Sequence, residues 1–188
     1  MEREWTVEES VRVAASPAEV YAAVSDLRRM PEWSPELFRV WIRDGGEVAE
    51  GTRFVGFNRL GWRVWFTTCE VTAAVPGRAF AFRVSTFGMP VALWGYRIEG
   101  IEDARGQDVE DGEAAGGQDG EAAGGQDGEA AASRLAEYWE DLRRDSRSAR
   151  VAALLGRVFT GVRAEDRAEL NRRGMRATLE RFRAAIEA

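Results

Sequence analysis

Residues 14–35, AASPAEVYAAVSDLRRMPEWSP, constrain the fold of this chain more than any other stretch. Ser16 is a favourable helix N-cap, Pro17 stands at the first helical position, and Glu19 falls where a capping box requires an acid. Val20, Val24 and Leu27 follow at helical spacing and give a short helix one apolar stripe. A second piece over 27–33 is too short to be stable alone, and Pro31 and Pro35 are expected to stop it. Two short helices placed this early need a larger surface to pack against.

The rest of the chain supplies one. Turn signals recur at Asp44-Gly45-Gly46, Leu60-Gly61, Pro76-Gly77 and Gly88-Met89-Pro90, and the segments between them are rich in Val, Phe, Trp and Thr. Alternation is cleanest over 78–86, where Phe80, Phe82 and Val84 share one face. Trp94, Tyr96 and Ile98 share a face over 91–100. With an opening strand over 5–14 and a last one over 133–144, about seven strands form an antiparallel meander. The period then changes. Leu170, Met175, Leu179, Phe182 and Ile186 form one stripe of a long closing helix, preceded by a shorter helix over 148–159.

At 188 residues the chain suits a single domain. The opening MEREWTVEES is charged, so no secretory signal is expected, and no run approaches the roughly 20 apolar residues of a membrane span. One cysteine forms no internal disulfide, which points to a reducing cytoplasm. Histidine is absent, which removes Ser-His-Asp and Cys-His catalysis and His metal sites; a lone Cys69 builds no structural zinc site. No metal is expected. Without a phosphate-binding loop, dinucleotide fingerprint or nucleophile elbow, no cofactor is expected either.

The octad DGEAAGGQ occurs at 111–118 and 119–126 and begins again at 127. It lacks aromatic and β-branched residues and cannot offset its own ordering entropy, so 107–131 reads as an acidic low-complexity loop between the last two strands. Those 25 residues hold eight acids and no base; without them the net charge of −6 becomes +2. A near-neutral remainder gives no reason to expect nucleic acid as a partner. The arginines of the closing helix are mixed with acids such as Glu169 and Glu180 and read as a solvated face.

The order of elements resembles the helix-grip fold: a strand, two short helices, six strands and a long helix. More narrowly, the chain resembles the SRPBCC (START-like) superfamily and its polyketide cyclase/dehydrase-type branch. The residues that carry this are SPAEVYAAVSDLRRMPEWSPE at 16–36, GTRFVGFNRLG at 51–61, PGRAFAFRV at 76–84 and NRRGMRATLERFRAAIE at 171–187. The resemblance implies an α+β fold in which a seven-stranded curved antiparallel sheet wraps around the C-terminal helix. It also implies an apolar cavity for lipids, polyketides or sterols, hence a small hydrophobic ligand as partner, in a monomer or homodimer. Fifteen of the 19 aromatic residues lie between Trp33 and Trp139, more than a thin two-layer core requires.

Matching strand phase to the family pattern turns Phe54, Gly56 and Asn58 inward on the third strand and Trp65, Thr67, Cys69 and Val71 on the fourth. On the last strand it turns Leu135, Glu137, Trp139 and Asp141 inward, although the opposite phase, Ala136, Tyr138 and Leu142, is nearly as apolar. Of these, Phe54, Asn58, Trp65, Thr67, Cys69 and Trp139, together with Trp33, Phe80, Phe82, Trp94, Tyr96 and Met175, are the expected ligand-binding wall. Glu137 and Asp141 are the candidate catalytic carboxylates, because desolvation would raise their pKa toward general acid–base work. The competing expectation is that both pair with rim arginines such as Arg59, Arg63 or Arg97. Cys69, in an apolar strand without a base, is expected to be inert. Arg28 and Arg29 are placed either at the cavity mouth or on the plain surface.

Three functions fit: a non-catalytic binder of a hydrophobic molecule, a cyclase or dehydratase using the carboxylates, and an interaction module. The third requires a cavity closed by side chains, below roughly 300 Å³. The first is the leading expectation. Deleting 107–131 and joining the strands through a short Gly-containing turn is expected to leave the fold intact, because loop-closure entropy changes slowly with length. Thermal denaturation checks this; a large drop in Tm would show the repeat packing against the domain.

Overall fold

Strand β1 (Thr6–Val13) leads into two short helices, α1 (Pro17–Ser25) and α2 (Met30–Trp33). Six strands follow: β2 (Leu37–Ile42), β3 (Arg53–Leu60), β4 (Arg63–Val75), β5 (Ala79–Thr86), β6 (Met89–Ile101) and β7 (Ala132–Asp141). Helix α3 (Arg167–Ile186) closes the chain. This computed structural model describes residues 4–43, 45–101, 132–142, 161 and 166–188. The acidic repeat and the helix expected over 148–159 lie outside the described residues.

The strands form one antiparallel sheet in the order β1-β7-β6-β5-β4-β3-β2, so β2 to β7 meander and β1 returns to the edge of β7. Register shifts interrupt the β2–β3, β4–β5 and β5–β6 pairings. Such shifts bend and twist a sheet, and here the concave face closes around α3. The result is the helix-grip fold.

Local chemistry accounts for the elements. Ser16 Oγ accepts from the Glu19 amide at 3.3 Å, and Glu19 Oε2 accepts from the Ser16 amide at 2.9 Å, completing the capping box of α1. Val20, Ala23 and Val24 are its buried face. Pro31 behaves differently from expectation. It lies in the first turn of α2, where the missing N–H has no helical partner to lose, so it starts this helix instead of stopping it. Leu27 is buried in the connection before α2. The turn expected at 88–90 is a two-residue hairpin at Phe87-Gly88, both with positive φ (50° and 76°). Pro90 is then part of β6, opposite Ser85 at the register shift, where a missing N–H is tolerated.

Along α3 the buried side is Ala168, Asn171, Met175, Thr178, Leu179 and Phe182. Phe182 meets Trp33 of α2 edge to face, with ring centroids 5.1 Å apart and an interplanar angle of 82°. Leu179 and Phe182 belong to the main core with Val13, Val20, Val24, Phe80, Ile98 and Leu135. On the outer side, Arg172 reaches Glu4 at 2.6 Å and Arg176 reaches Glu9 at 3.0 Å, tethering the helix beside β1. These pairs are largely solvated and add little stability; apolar burial holds the helix. Phe182→Ala is expected to cost about 3–5 kcal/mol in denaturant unfolding, the range for truncating a buried aromatic. A loss under about 1 kcal/mol would mean that the helix is not clamped through this ring.

Candidate functional site

Between the concave sheet and α3 lies a cavity of about 140 Å³. Its floor alternates along the strands: Phe54, Gly56 and Asn58 on β3, Trp65, Thr67 and Cys69 on β4, Phe82 and Val84 on β5, Trp94 and Tyr96 on β6, and Glu137 on β7. The roof is one side of α3, Arg167, Asn171, Gly174, Met175 and Thr178, which recur about once per helical turn, with Gly174 and Met175 adjacent. Met30 and Trp33 of α2 and the following residues 34–37 form the side wall. Gly56 keeps the floor open: a Cβ there would stand 3.0 Å from Leu37 Cδ1 and 3.4 Å from Thr67 Oγ1.

The polar groups fall into two sets. On the sheet, Asn58 Nδ2 donates to the Gly56 carbonyl at 3.2 Å and to Thr67 Oγ1 at 3.4 Å, and Thr67 Oγ1 lies 3.8 Å from Cys69 Sγ. This set is internally satisfied. Burial pushes the Cys69 thiol up to about 12, so it stays protonated and is a poor nucleophile.

The second set is not satisfied. Glu137 Oε2, Asn171 Nδ2 and Arg167 Nη1 are buried without a hydrogen-bond partner among the described residues. Glu137 faces Tyr96 across the β6–β7 ladder and accepts a hydrogen bond from its hydroxyl. Burial nevertheless raises its carboxyl from the ordinary 4.5 to about 8, and burial together with Glu137 raises the Tyr96 phenol as well. Arg167 Nη2 donates to Glu36 Oε2 at 3.4 Å, leaving its other terminal nitrogen free.

The rim arginines do not neutralise Glu137. Arg97 pairs with Glu8 and lies over the Tyr138 ring, Arg59 lies over Phe38, and Arg63 over Trp62. Arg29 pairs with Glu32 and stacks near Trp33, and neither Arg28 nor Arg29 lines the cavity. Among the described residues no three Cys, Asp or Glu side chains cluster as metal ligands.

Eleven of the expected wall and catalytic residues thus meet at one cavity: Trp33, Phe54, Asn58, Trp65, Thr67, Cys69, Phe82, Trp94, Tyr96, Glu137 and Met175. Phe80, Trp139 and Asp141 do not line it. Phe80 is fully buried in the main core, and Trp139 packs with Val7, Ala92, Ala168 and Met175. Asp141 shares the inward phase of β7 and is fully buried, yet four residues carry it about 13 Å along the strand from Glu137. Its backbone N–H donates to the Trp5 carbonyl instead. Arg167, Asn171 and Thr178 were not anticipated from sequence. The available signal was their helical spacing from Met175, with polar residues interrupting the stripe.

A curved sheet gripping a helix over a cavity with aromatic walls defines a START-like architecture. The model of the polyketide cyclase / dehydrase and lipid transport family matches residues 4–187, and the chain belongs to that family, within the SRPBCC superfamily. No curated protein matches the sequence. Among solved structures, the polyketide-cyclase-like protein Cgl2372 from Corynebacterium glutamicum is 25% identical, with a TM-score of 0.56 over 100% of this chain and 94% of that one. The Zhui aromatase/cyclase from Streptomyces sp. R1128 is 15% identical, with a TM-score of 0.62 over 97% of this chain and 93% of its own. A START superfamily protein from Mycobacterium smegmatis is 12% identical, with a TM-score of 0.60 over 98% of both chains. The last two likenesses are of fold.

The Glu137 carboxyl makes stability depend on pH. Unfolded, it titrates near its ordinary 4.5, and folded near 8, so between those values the native state holds a proton that the unfolded state has released. The stability tied to the protonated form is complete below about pH 4.5 and is lost as pH rises toward 8. Glu137→Gln, which mimics the neutral acid, is expected to flatten the fall of Tm across that window. Identical slopes in the variant and the parent would mean that Glu137 is charged in the folded protein.

Proposed function

We propose that the chain binds a small hydrophobic, lipid- or polyketide-like molecule in the cavity beneath α3. One observation carries the reading: three buried polar atoms on a largely apolar wall have no hydrogen-bond partner among the described residues. A core closed for packing alone would carry each orphan at about 1–3 kcal/mol without return. A ligand that meets them recovers that free energy.

Size bears on the choice. The cavity, about 140 Å³, is below the roughly 300 Å³ of an ordinary ligand site, which is the range the interaction-module reading requires. It is nonetheless close to the roughly 150 Å³ void that admits benzene in another protein. One ring fits the space, and a longer ligand must move part of the wall. The orphaned polar groups favour a ligand site over a permanently closed core.

The enzyme reading has an observation of its own. Glu137 holds its proton near neutral pH and keeps one oxygen free, as a general acid for dehydration or aldol-type cyclisation must. Titration with hydrophobic ring compounds is expected to shift the emission of Trp33, Trp65 and Trp94 saturably, and Trp65→Ala to weaken binding. Asp141→Asn, outside the lining, should leave affinity unchanged. In a binder, Glu137→Gln keeps affinity within about tenfold and no turnover appears. In an enzyme it keeps binding and loses on the order of a hundredfold or more in rate. Failure of every such compound to bind the folded protein would overturn both readings.

A further inference from the structure

The orphaned atoms also say what kind of ligand head the cavity takes, an inference that rests on the ligand-binding reading above. Arg167 Nη1 and Asn171 Nδ2 stand one helical turn apart on the roof of the cavity, on α3, and both are donors only. Asn171 is 3% exposed and Glu137 4%. Neither nitrogen is paired among the described residues, so an oxygen acceptor brought by a ligand has two donors ready for it. On the floor, Tyr96 occupies one side of the Glu137 carboxyl and Oε2 faces no partner.

Charge narrows the acceptor. Glu36 already lies 3.4 Å from Arg167 Nη2 and offsets the guanidinium. An anionic head would bring a second negative charge beside Glu36 into a largely desolvated space, where unpaired charge is expensive. A neutral carbonyl oxygen accepts from both donors without that penalty.

We propose that Arg167 and Asn171 form a head-group subsite for neutral carbonyl oxygens, so that the cavity selects ring-sized ketones over hydrocarbons and carboxylates of the same shape. The retained proton of Glu137 is consistent with this, since it lets Oε2 act as a third donor and leaves the orphan set without an anion. The subsite lies on the helix, whereas the sheet supplies mainly the apolar wall. Selectivity therefore depends on α3 and shape on the strands.

The probes are acetophenone, ethylbenzene and benzoate, titrated into the full chain at neutral pH and followed by the NMR shifts of the tryptophan indole N–H groups. Acetophenone carries a carbonyl oxygen where ethylbenzene has two methylene hydrogens, and the ring and methyl group are common to both. Acetophenone is expected to bind about tenfold or more tighter than ethylbenzene, as a hydrogen bond to otherwise unpaired buried donors should give. In Asn171→Leu and in Arg167→Met the acetophenone-to-ethylbenzene ratio, read within each variant, should fall toward one; the comparison within the parent protein holds even if a variant misfolds. Equal affinity of the two in the parent overturns the subsite and leaves hydrophobic binding standing. Benzoate binding more tightly than acetophenone overturns the neutral head in favour of an anion. No saturable shift with any probe overturns the subsite and the ligand-binding reading together.

Discussion

The edge-to-face contact between Phe182 and Trp33 is the interaction on which the rest of the molecule depends. A curved sheet buries its concave face only if another element fills it, and α3 is that element. Trp33 belongs to a four-residue helix that has no stability of its own. Pressing the two rings together fixes α2 and the C-terminal half of α3 at once. The cavity is the space left toward the other half of α3, where Met175, Gly174, Asn171 and Arg167 face the strands instead of filling them.

That arrangement divides stability from function along one helix. The Leu179–Phe182 end is apolar and fully packed, joined to Val13, Val20 and Leu135 in one core. Toward the other end Asn171 and Arg167 carry buried polar atoms that nothing in the described residues satisfies. Across the cavity, Glu137 is buried beside Tyr96 and remains largely protonated. Desolvation keeps Glu137 neutral, and the same desolvation makes any hydrogen bond from a ligand count for more than it would in water.

Some of this was legible from local pattern. The capping box at Ser16 and Glu19 depends on neighbours three residues apart, and such signals survive in sequence. Period-two alternation separates the two faces of each strand, and the resemblance to the family, not the alternation, turned Phe54, Asn58, Trp65 and Thr67 inward. Pro31 was harder, because the same residue ends one helix and begins another according to which turn it occupies. Arg167 and Asn171 were harder still: an arginine and an asparagine on an arginine-rich helix look like its solvated side until the sheet closes over them.

The sequence by itself determined the element order and the resemblance to the family, because capping, alternation and turn chemistry act between residues close in the chain; the inward phase of the last strand it left open. Tertiary structure decided which inward residues share the cavity. Glu137 and Asp141 have the same phase and similar chemistry, and both are buried. Only the position of α3 above the strands puts Glu137 under an open space and Asp141 beyond it. That position is set by contacts between residues more than a hundred apart, such as Trp33 with Phe182, and no periodicity along the chain records it.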